Sequence, residues 1–506
     1  MMNNSGGDSP YTLGSPWNPY DRNVLKGDYP VIGEDVFVNL SATSDTLVAY
    51  RKSPVPQGVS TRDPGDFSFF GDGRQLLVNQ SVFLGIDLFQ GYTAYRPVDW
   101  LIRVVPAFNL NYARLREHNA INADVRKGDE RTDEFATLQE VFGELHLGDT
   151  SPEFDIAAVR VGRQLFVSDF RGFIYNDVSD GARIFGNLAS NRVQYSLALF
   201  NQVEKDTNSG LNEFNWRDQQ VLIANAYVQD LFWMGHTTQL SFHWNHDQSD
   251  SRYNKNGVLV RPPLAGSVSL QDIDAYYLGW AGDGHIGRVN VDHALYHVFG
   301  TDGHNPIAGR DVGISAFLGA VELSYDIDWL RPKVSFLYAS GDGRGGDGKG
   351  RGFDGILDNP SFAGGPSSFY NGGIGLMGVN LTNPGSFFNT LNSSKGEGQA
   401  NFVNPGTVLF NAGLDTELTP KLRASINYNY LLFADTGSLE YFLNQSGISD
   451  EIGSELNFTA QWRPFLNNNI IVTGGASVFF PGKGFRRVYD SNDTLYQFFS
   501  GVTLTY

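Results

Sequence analysis

Hydrophobic and polar residues alternate along many short segments, which is the pattern of β-strands with one apolar and one polar face. In one segment, apolar side chains occupy every second position from Trp100 to Tyr112, while Arg103, Asn109 and Asn111 lie between them. Aromatic residues stand at both ends of this apolar face, as in strands that cross a membrane and meet its two interfaces. Similar alternation recurs in residues 422–430 and 455–463.

About 18 such strands follow one another from residue 34 to the last residues, an even number within the range of outer-membrane β-barrels. The connections between them alternate in length, and every odd-to-even connection is expected to be long. This asymmetry is typical of barrels with long extracellular loops and short periplasmic turns. We therefore predict an all-β fold, a single transmembrane antiparallel β-barrel in the bacterial outer membrane, with both chain ends on the periplasmic side.

The pattern divides the chain into two parts. Residues 1–33 are rich in proline, glycine and aromatic residues and lack periodicity, so they are predicted to form a periplasmic arm or a small plug. Residues 34–506 form the predicted barrel. Within it, the glycine-rich segment 341–406 is predicted to be a long extracellular or pore-constricting loop. Its apolar piece, residues 374–379, would need cover from the barrel wall or from a partner.

Composition excludes several other classes. The mean hydropathy is -0.26, and no stretch of roughly 20 apolar residues is available for a membrane helix. The chain has no cysteine, which excludes disulfides and thiolate metal sites. A net charge of -18 argues against a nucleic-acid partner. A soluble all-β protein is the remaining alternative, and the alternating connection lengths disfavour it.

The last strand, Ser500–Tyr506, is amphipathic and ends on an aromatic residue. It resembles the C-terminal signature of bacterial outer-membrane proteins. The resemblance implies that the outer-membrane assembly machinery is a partner, and that lipid and lipopolysaccharide surround the barrel.

The polar strand faces predict a hydrated lumen, because a barrel of about 18 strands is too wide for side chains to fill. Charged residues on these faces set which ions pass. Acidic residues are in slight excess, which favours cations, although many of these charges can instead pair across the wall. The predicted pore-lining residues are Arg103, Glu140, Glu144, Arg160, Arg163, Gln164, Arg171, Arg183, Glu322, Asp415, Arg423, Glu455 and Arg463.

The segment Val159–Gly186 contains the most distinctive motif. It resembles the "GRQ" strand of the alginate-export family of outer-membrane barrels. The resemblance implies an 18-stranded barrel that carries an anionic polysaccharide through an arginine-lined pore. The acidic balance of the chain departs from that pattern. The matching positions are Arg160, Gly162, Arg163 and Gln164, and the basic patch would comprise Arg160, Arg163, Arg171 and Arg183.

Three aspartates among the glycines of the long loop, Asp342, Asp347 and Asp354, offer oxygen ligands suited to calcium. Their spacing matches neither the EF-hand loop nor the nine-residue calcium repeat. A loop-bound calcium ion is therefore the one cofactor that the sequence suggests.

Histidines raise the alternative of an outer-membrane enzyme. His243 and His246 point to opposite faces of one strand, and His293 and His297 lie roughly 13 Å apart on another. Neither pair can bind one metal ion, and no nucleophile motif accompanies them. They are interpreted as rim or girdle residues, and no enzyme is predicted.

These observations predict an outer-membrane channel that passes small hydrophilic solutes, ions or an exported saccharide. The alternative is a structural barrel that encloses a partner protein, such as a periplasmic electron carrier.

Overall fold

The structure is a computed structural model, and it describes residues 14–15, 17–54, 60, 62, 65, 71–93, 96–118, 120–153, 155–263, 266–364, 368–372 and 395–506. The apolar piece predicted at 374–379 lies outside the described residues.

An 18-strand antiparallel barrel dominates the chain, and this confirms the predicted fold class. Each strand pairs with the next along the chain, and the first strand pairs with the last over Thr43–Lys52, which closes the sheet. The strands are β1 (Val36–Lys52), β2 (Arg74–Gln90), β3 (Trp100–Leu115), β4 (Glu130–Asp149), β5 (Ile156–Val167), β6 (Asn176–Leu188), β7 (Val193–Lys205), β8 (Asn212–Gln229), β9 (His236–Asp247), β10 (Asp272–Ile286), β11 (Val289–Asn305), β12 (Arg310–Tyr325), β13 (Leu330–Ala339), β14 (Thr407–Thr419), β15 (Leu422–Leu432), β16 (Glu451–Trp462), β17 (Ile470–Pro481) and β18 (Leu495–Thr505).

Shorter elements lie in the connections. Arg252–Tyr253 pairs with Leu259–Arg261, and Lys349–Gly350 runs parallel to β12. Among the described residues, no helix is long and apolar enough to cross a membrane. The helices are a 3-10 turn at Val125–Lys127, α1 (Phe369–Gly372), α2 (Gly437–Leu443) and α3 (Lys483–Tyr489).

The predicted alternation places the apolar residues outside. On β3, Phe108 and Leu110 are about half exposed, at 48% and 52%, because they face outward where lipid would cover them. Asn109 and Asn111 between them are buried in the barrel and hydrogen-bond each other at 2.8 Å. A further bond of 2.7 Å joins the Asn109 amide to Asn79 on β2. The lumen face is thus a network of polar side chains.

Connection lengths follow the predicted asymmetry with exceptions. We call the end of the barrel that carries 287–288 and 420–421 the short-turn end, and the opposite end, with 248–271 and 340–406, the long-loop end. The expectation that every odd-to-even connection is long is wrong for two connections at the long-loop end, 206–211 and 306–309.

Tight turns replace loops there, because side-chain carbonyls accept the backbone N–H groups of the turn. In 306–309, the side chain of Asn305 accepts from the N–H groups of Ile307 and Ala308 at 3.1 and 3.0 Å. In 206–211, Asp206 accepts from the N–H of Ser209 at 3.0 Å. Such capped turns need no long loop to satisfy their backbone.

The described part of the N-terminal segment covers a free strand edge. β1 begins at Val36, whereas its pairing with β18 starts only at Thr43. Leu25 and Lys26 lie along the unpaired stretch: Leu40 donates its N–H to the Leu25 carbonyl at 2.7 Å, and Lys26 pairs with Asn39. A covered edge cannot pair with another chain. The boundary between residues 1–33 and the barrel stays a prediction.

The closure between β1 and β18 can be tested with a cysteine pair, because the chain has no cysteine of its own. Ala49 and Phe499 are cross-strand partners, so Ala49→Cys with Phe499→Cys should form a disulfide in the folded barrel. Mass spectrometry of the protein after oxidation in detergent measures it. Ala49→Cys with Leu495→Cys, four residues away along β18, is the matched control. Crosslinking of the control pair to the same extent would contradict the register.

Candidate functional site in the barrel lumen

The connection 168–175 between β5 and β6 turns into the barrel and crosses its lumen. The carbonyl of Ser168 accepts hydrogen bonds from Asn225 at 2.8 Å, Gln239 at 2.6 Å and Tyr227 at 3.3 Å. These donors stand on β8 and β9, beyond the neighbouring strand β7. Three donors on one carbonyl therefore hold the start of this connection against a distant part of the wall.

Asp169 shapes the turn that follows. Its carboxylate accepts the backbone N–H groups of Arg171 at 2.8 Å and Phe173 at 3.1 Å, as well as that of Gly172. It also accepts the hydroxyl of Tyr296 on β11 at 2.9 Å. One carboxylate thus organises the turn and binds it to the wall.

Arg171 reaches furthest across the lumen. Its Nε lies 2.9 Å from Asp292 Oδ2 on β11, and its Nη2 lies 2.9 Å from Glu322 Oε1 on β12. Arg171 and Glu322 were both predicted to line the pore, and the structure brings them together. Asp292 also falls on a lumen face by its position, but the sequence could not predict its pairing with Arg171, because the two residues are 121 positions apart.

The described part of the long connection 340–406 also folds inward and pairs with the connection 168–175. Ile356 donates its N–H to the Ile174 carbonyl at 3.0 Å, and Ser361 donates to the Arg171 carbonyl at 3.0 Å. The Phe173 and Phe362 rings pack with their centroids 5.6 Å apart. We call residues 168–175 and 356–361 together the lumen partition. It forms a layer across the barrel, with an apolar core and charged edges.

Buried cations hold the end of the long connection. Arg217 on β8 donates to the carbonyls of Lys395 at 3.1 Å and Gly396 at 3.0 Å. Lys395 in turn places its Nζ 2.5 Å from Asp354 Oδ1 and also pairs with Asp358. Burial by itself lowers the pKa of Lys395, but these two carboxylates raise it above its ordinary value. The ammonium therefore stays charged across the physiological range.

The predicted calcium site is not assembled. Arg351 pairs with both Asp342 and Asp347, at 2.9 and 2.8 Å, whereas Asp354 pairs with Lys395. Cationic side chains thus neutralise all three carboxylates, and these carboxylates do not form one donor set.

Another group, which the sequence did not reveal, has donor atoms close together. Among the described residues, His246, Asp272 and Asp274 bring their ligand atoms within 4.8 Å of one another. Asp274 already accepts hydrogen bonds from His246 Nδ1 at 2.9 Å and from Trp244 at 3.1 Å. The register that makes His246 and Asp274 cross-strand partners is the signal that would have shown it. The site is a hydrogen-bonded cluster at the end of β9.

Charges alternate along the lumen face of β2 to β4. Arg103 lies 3.3 Å from Asp87 and 3.1 Å from Glu140. On the neighbouring strands, Arg160 lies 2.5 Å from Glu144. These four predicted residues are therefore paired with one another or with Asp87, and their charges largely cancel.

Arg183 is different. It is the cross-strand partner of Arg160, and its Nε donates to Ser196 Oγ at 3.0 Å. Its guanidinium carbon lies 4.3 Å from the Phe185 ring centroid and 5.0 Å from that of Phe166. Within the part of the chain that the structure describes, Arg183 makes no ion pair. The wall near the partition thus carries an uncompensated positive charge.

A cavity of about 1040 Å³ opens at the short-turn end. Its lining includes the predicted residues Asp415 and Arg423; Asp415 lies 3.0 Å from Lys333 Nζ, and Arg423 pairs with Glu417. Arg463 begins the adjacent turn, where its N–H donates to the Lys421 carbonyl. The charged side chains that line the cavity are Asp45, Asp326, Asp328, Arg331, Asp415, Glu417 and Arg423, with acids in excess.

Three predicted pore-lining residues do not line the open lumen. Glu455 is fully buried and accepts the N–H of Phe369 at 2.8 Å, so the long connection covers it. Gln164 is also fully buried, and its amide faces the carbonyls of Gly162 and Gly181. Arg163 requires a correction, because it lies on the outer face with Val161 and Leu165. Residues 160 and 163 fall on opposite faces of a strand, which the motif obscured.

No family model and no curated protein matches the sequence. Solved structures do share its architecture. The porin OccK7 (OpdD) of Pseudomonas aeruginosa matches with a TM-score of 0.51 at 8% identity, covering 93% of this chain and 98% of that one. OccK9 (OpdG) of the same organism matches with a TM-score of 0.50 at 10% identity and the same coverage. The fold is that of an outer-membrane porin. At this identity the likeness concerns the fold alone, and the matched structures are not alginate-export proteins.

Loss of the Lys395 ammonium should loosen the long connection. In Lys395→Met, Asp354 and Asp358 lose a cation that is buried with them, and breaking such a pair costs about 3–5 kcal/mol. We expect limited proteolysis of the folded barrel to cleave within 340–406 several-fold faster. Lys349→Met, an exposed lysine of the same connection, is the matched control. Equal cleavage rates for the two variants would contradict the role of Lys395.

Proposed function

We propose that this protein is a channel of the bacterial outer membrane that passes small hydrophilic solutes through a narrowed lumen. The observation that carries the proposal is the lumen partition, which crosses an otherwise polar barrel and is bound to the opposite wall through Arg171. A layer of this kind leaves a passage whose width and charge select the solute. The apolar outer face, with Phe108 and Leu110 about half exposed, supports the membrane location.

We propose that the positive charge of Arg183 makes the passage favour small anions. Arg183 contributes an uncompensated positive charge on one section of the wall, beside the paired Arg160. On another section, Asp292 and Glu322 share the single charge of Arg171. A solute that carries both a carboxylate and hydroxyl groups would complement these two sections. This differs from the cation preference that overall composition suggested, because most acids lie in ion pairs or at the short-turn end.

The two alternative functions have less support from the structure. A barrel that encloses a protein partner needs an open lumen, whereas the described parts of 168–175 and 340–406 cross it. Export of a polysaccharide such as alginate stays a prediction, supported by Arg160 and Arg183 but not by Arg163. The proposal requires no catalytic residue. Contacts with lipopolysaccharide and with the assembly machinery also remain predictions.

The first test is single-channel conductance of the purified protein in a planar bilayer. We expect discrete steps and, under a salt gradient, a reversal potential that shows anion preference. Arg183→Gln should shift that potential towards cation preference, because it removes a lumen arginine that makes no ion pair with a described residue. Arg96→Gln, in an exposed pair with Asp99 at a turn, should leave it unchanged. Silent membranes that contain folded barrel would contradict the proposal.

Solute preference can be measured separately by liposome swelling. We expect glucuronate to enter faster than glucose of similar size, and Arg183→Gln to reduce the difference. Equal rates for both sugars in the unmodified protein would overturn the anion preference while leaving the channel itself in place.

A further inference from the structure

The barrel wall is interrupted where the partition leaves it. Pairing between β4 and β5 stops at Val141 and Arg163, and pairing between β6 and β7 stops at Asp180 and Asn201. Between themselves, β5 and β6 stay paired up to Val167 and Asn176. The tip of this hairpin, residues 164–179, therefore leaves the wall and carries 168–175 into the lumen.

Two glycines lie where the hairpin bends. Gly162 and Gly181 are cross-strand partners at the level where the outer pairing ends. A Cβ at Gly162, whose φ is +128°, would lie 2.3 Å from the Val141 carbonyl oxygen, and one at Gly181 would lie 2.5 Å from the Leu199 carbonyl oxygen. Only glycine lets the hairpin approach both neighbouring strands so closely.

Strand β8 closes the gap that the hairpin leaves. Asn212, at the start of β8, accepts the Thr137 hydroxyl through its carbonyl at 2.7 Å and donates its N–H to Gln139 Oε1 at 3.0 Å. Both partners stand on β4, which is four strands away along the chain. Each of these contacts joins a side chain of β4 to the backbone of β8, so the described part of the wall here is a seam without the backbone ladder found elsewhere.

Arg163 lies at the base of this seam. Its Nε is 2.8 Å from Asp180 Oδ1, and its Nη1 donates to the Leu138 carbonyl at 3.2 Å. From β8, the Phe214 ring lies 5.4 Å from the guanidinium, and Trp216 donates its indole N–H to Asp180 at 3.0 Å. Only 7% of the Arg163 side chain is exposed. One guanidinium thus joins strands β4, β5, β6 and β8.

We propose that Arg163 and Asp180 are positioning residues that hold the β5–β6 hairpin inside the barrel and thereby set the width of the passage from outside the lumen. The inference rests on the proposed channel function. Between Arg163 and Asp180 and its tip, the hairpin has strand edges that are not paired with β4 or β7. Returning to the wall would pair those edges. Ser168, Asp169 and Arg171 hold the tip of the hairpin inward, and Arg163 with Asp180 is the contact at its base that opposes this return.

A spin label reports the hairpin position without relying on conduction. Phe170 is 37% exposed on 168–175, and the chain has no cysteine, so Phe170→Cys gives a single labelling site. We expect an immobilised spectrum in the otherwise unmodified protein and a mobile component in Arg163→Gln. The same variant should raise single-channel conductance at least twofold, although residue 163 does not face the lumen. Arg96→Gln is the matched control for both measurements.

Arg163→Gln leaves Asp180 without its cation and can impair folding, which heat-dependent mobility on gels will show. The double variant Arg163→Gln with Asp180→Asn removes both charges and still abolishes the guanidinium bridge. A mobile label in the folded double variant supports the inference even where no channel activity is found for any variant. An immobile label in that variant, or a changed conductance with an immobile label, overturns it.

Discussion

A sheet inside a bilayer must satisfy every backbone N–H and C=O within the protein, because lipid offers no hydrogen-bonding partner. This requirement explains the closed barrel, the pairing of β1 with β18, and the cover that Leu25 and Lys26 give to the free edge of β1. It also explains the seam. Where the hairpin leaves the wall, Asn212, Arg163 and the side chains around them take over the hydrogen bonds that neighbouring strands make elsewhere.

The alternation of apolar and polar residues was sufficient to predict the strands. Successive residues of a strand point to opposite faces, so the pattern is visible within one short segment. The same rule places Arg103 and Glu140 in the lumen and Ile426 outside. It failed for Arg163 only because a resemblance to a motif, rather than the period of two, assigned its face. The two short connections at the long-loop end were missed because an Asn or Asp side chain can close a turn within four to six residues.

The sequence left open whether segment 341–406 constricts the pore, and it did not indicate that residues 168–175 turn inward. The positions of these loops depend on contacts between residues distant in the sequence, such as Arg171 with Asp292 and Arg217 with Lys395. A local sequence pattern cannot reveal such pairs. For the same reason the aspartates of the long loop suggested calcium, whereas Arg351 and Lys395 bind them instead. Most cations of the lumen hold loops or walls in place. Arg183 makes no ion pair with a described residue, and we propose that its charge remains available to a solute.

The pairing of the two loops also has a consequence for assembly. Arg171 and Ser361 are 190 residues apart, and the backbone bonds between 171–176 and 356–361 need both segments. Whichever end of the chain folds first, the β5–β6 tip therefore has no partner for its inner edge until residues 356–361 are in place. Contacts of such large sequence separation form slowly. We therefore expect the interior of this barrel to form after the local hairpins of its wall.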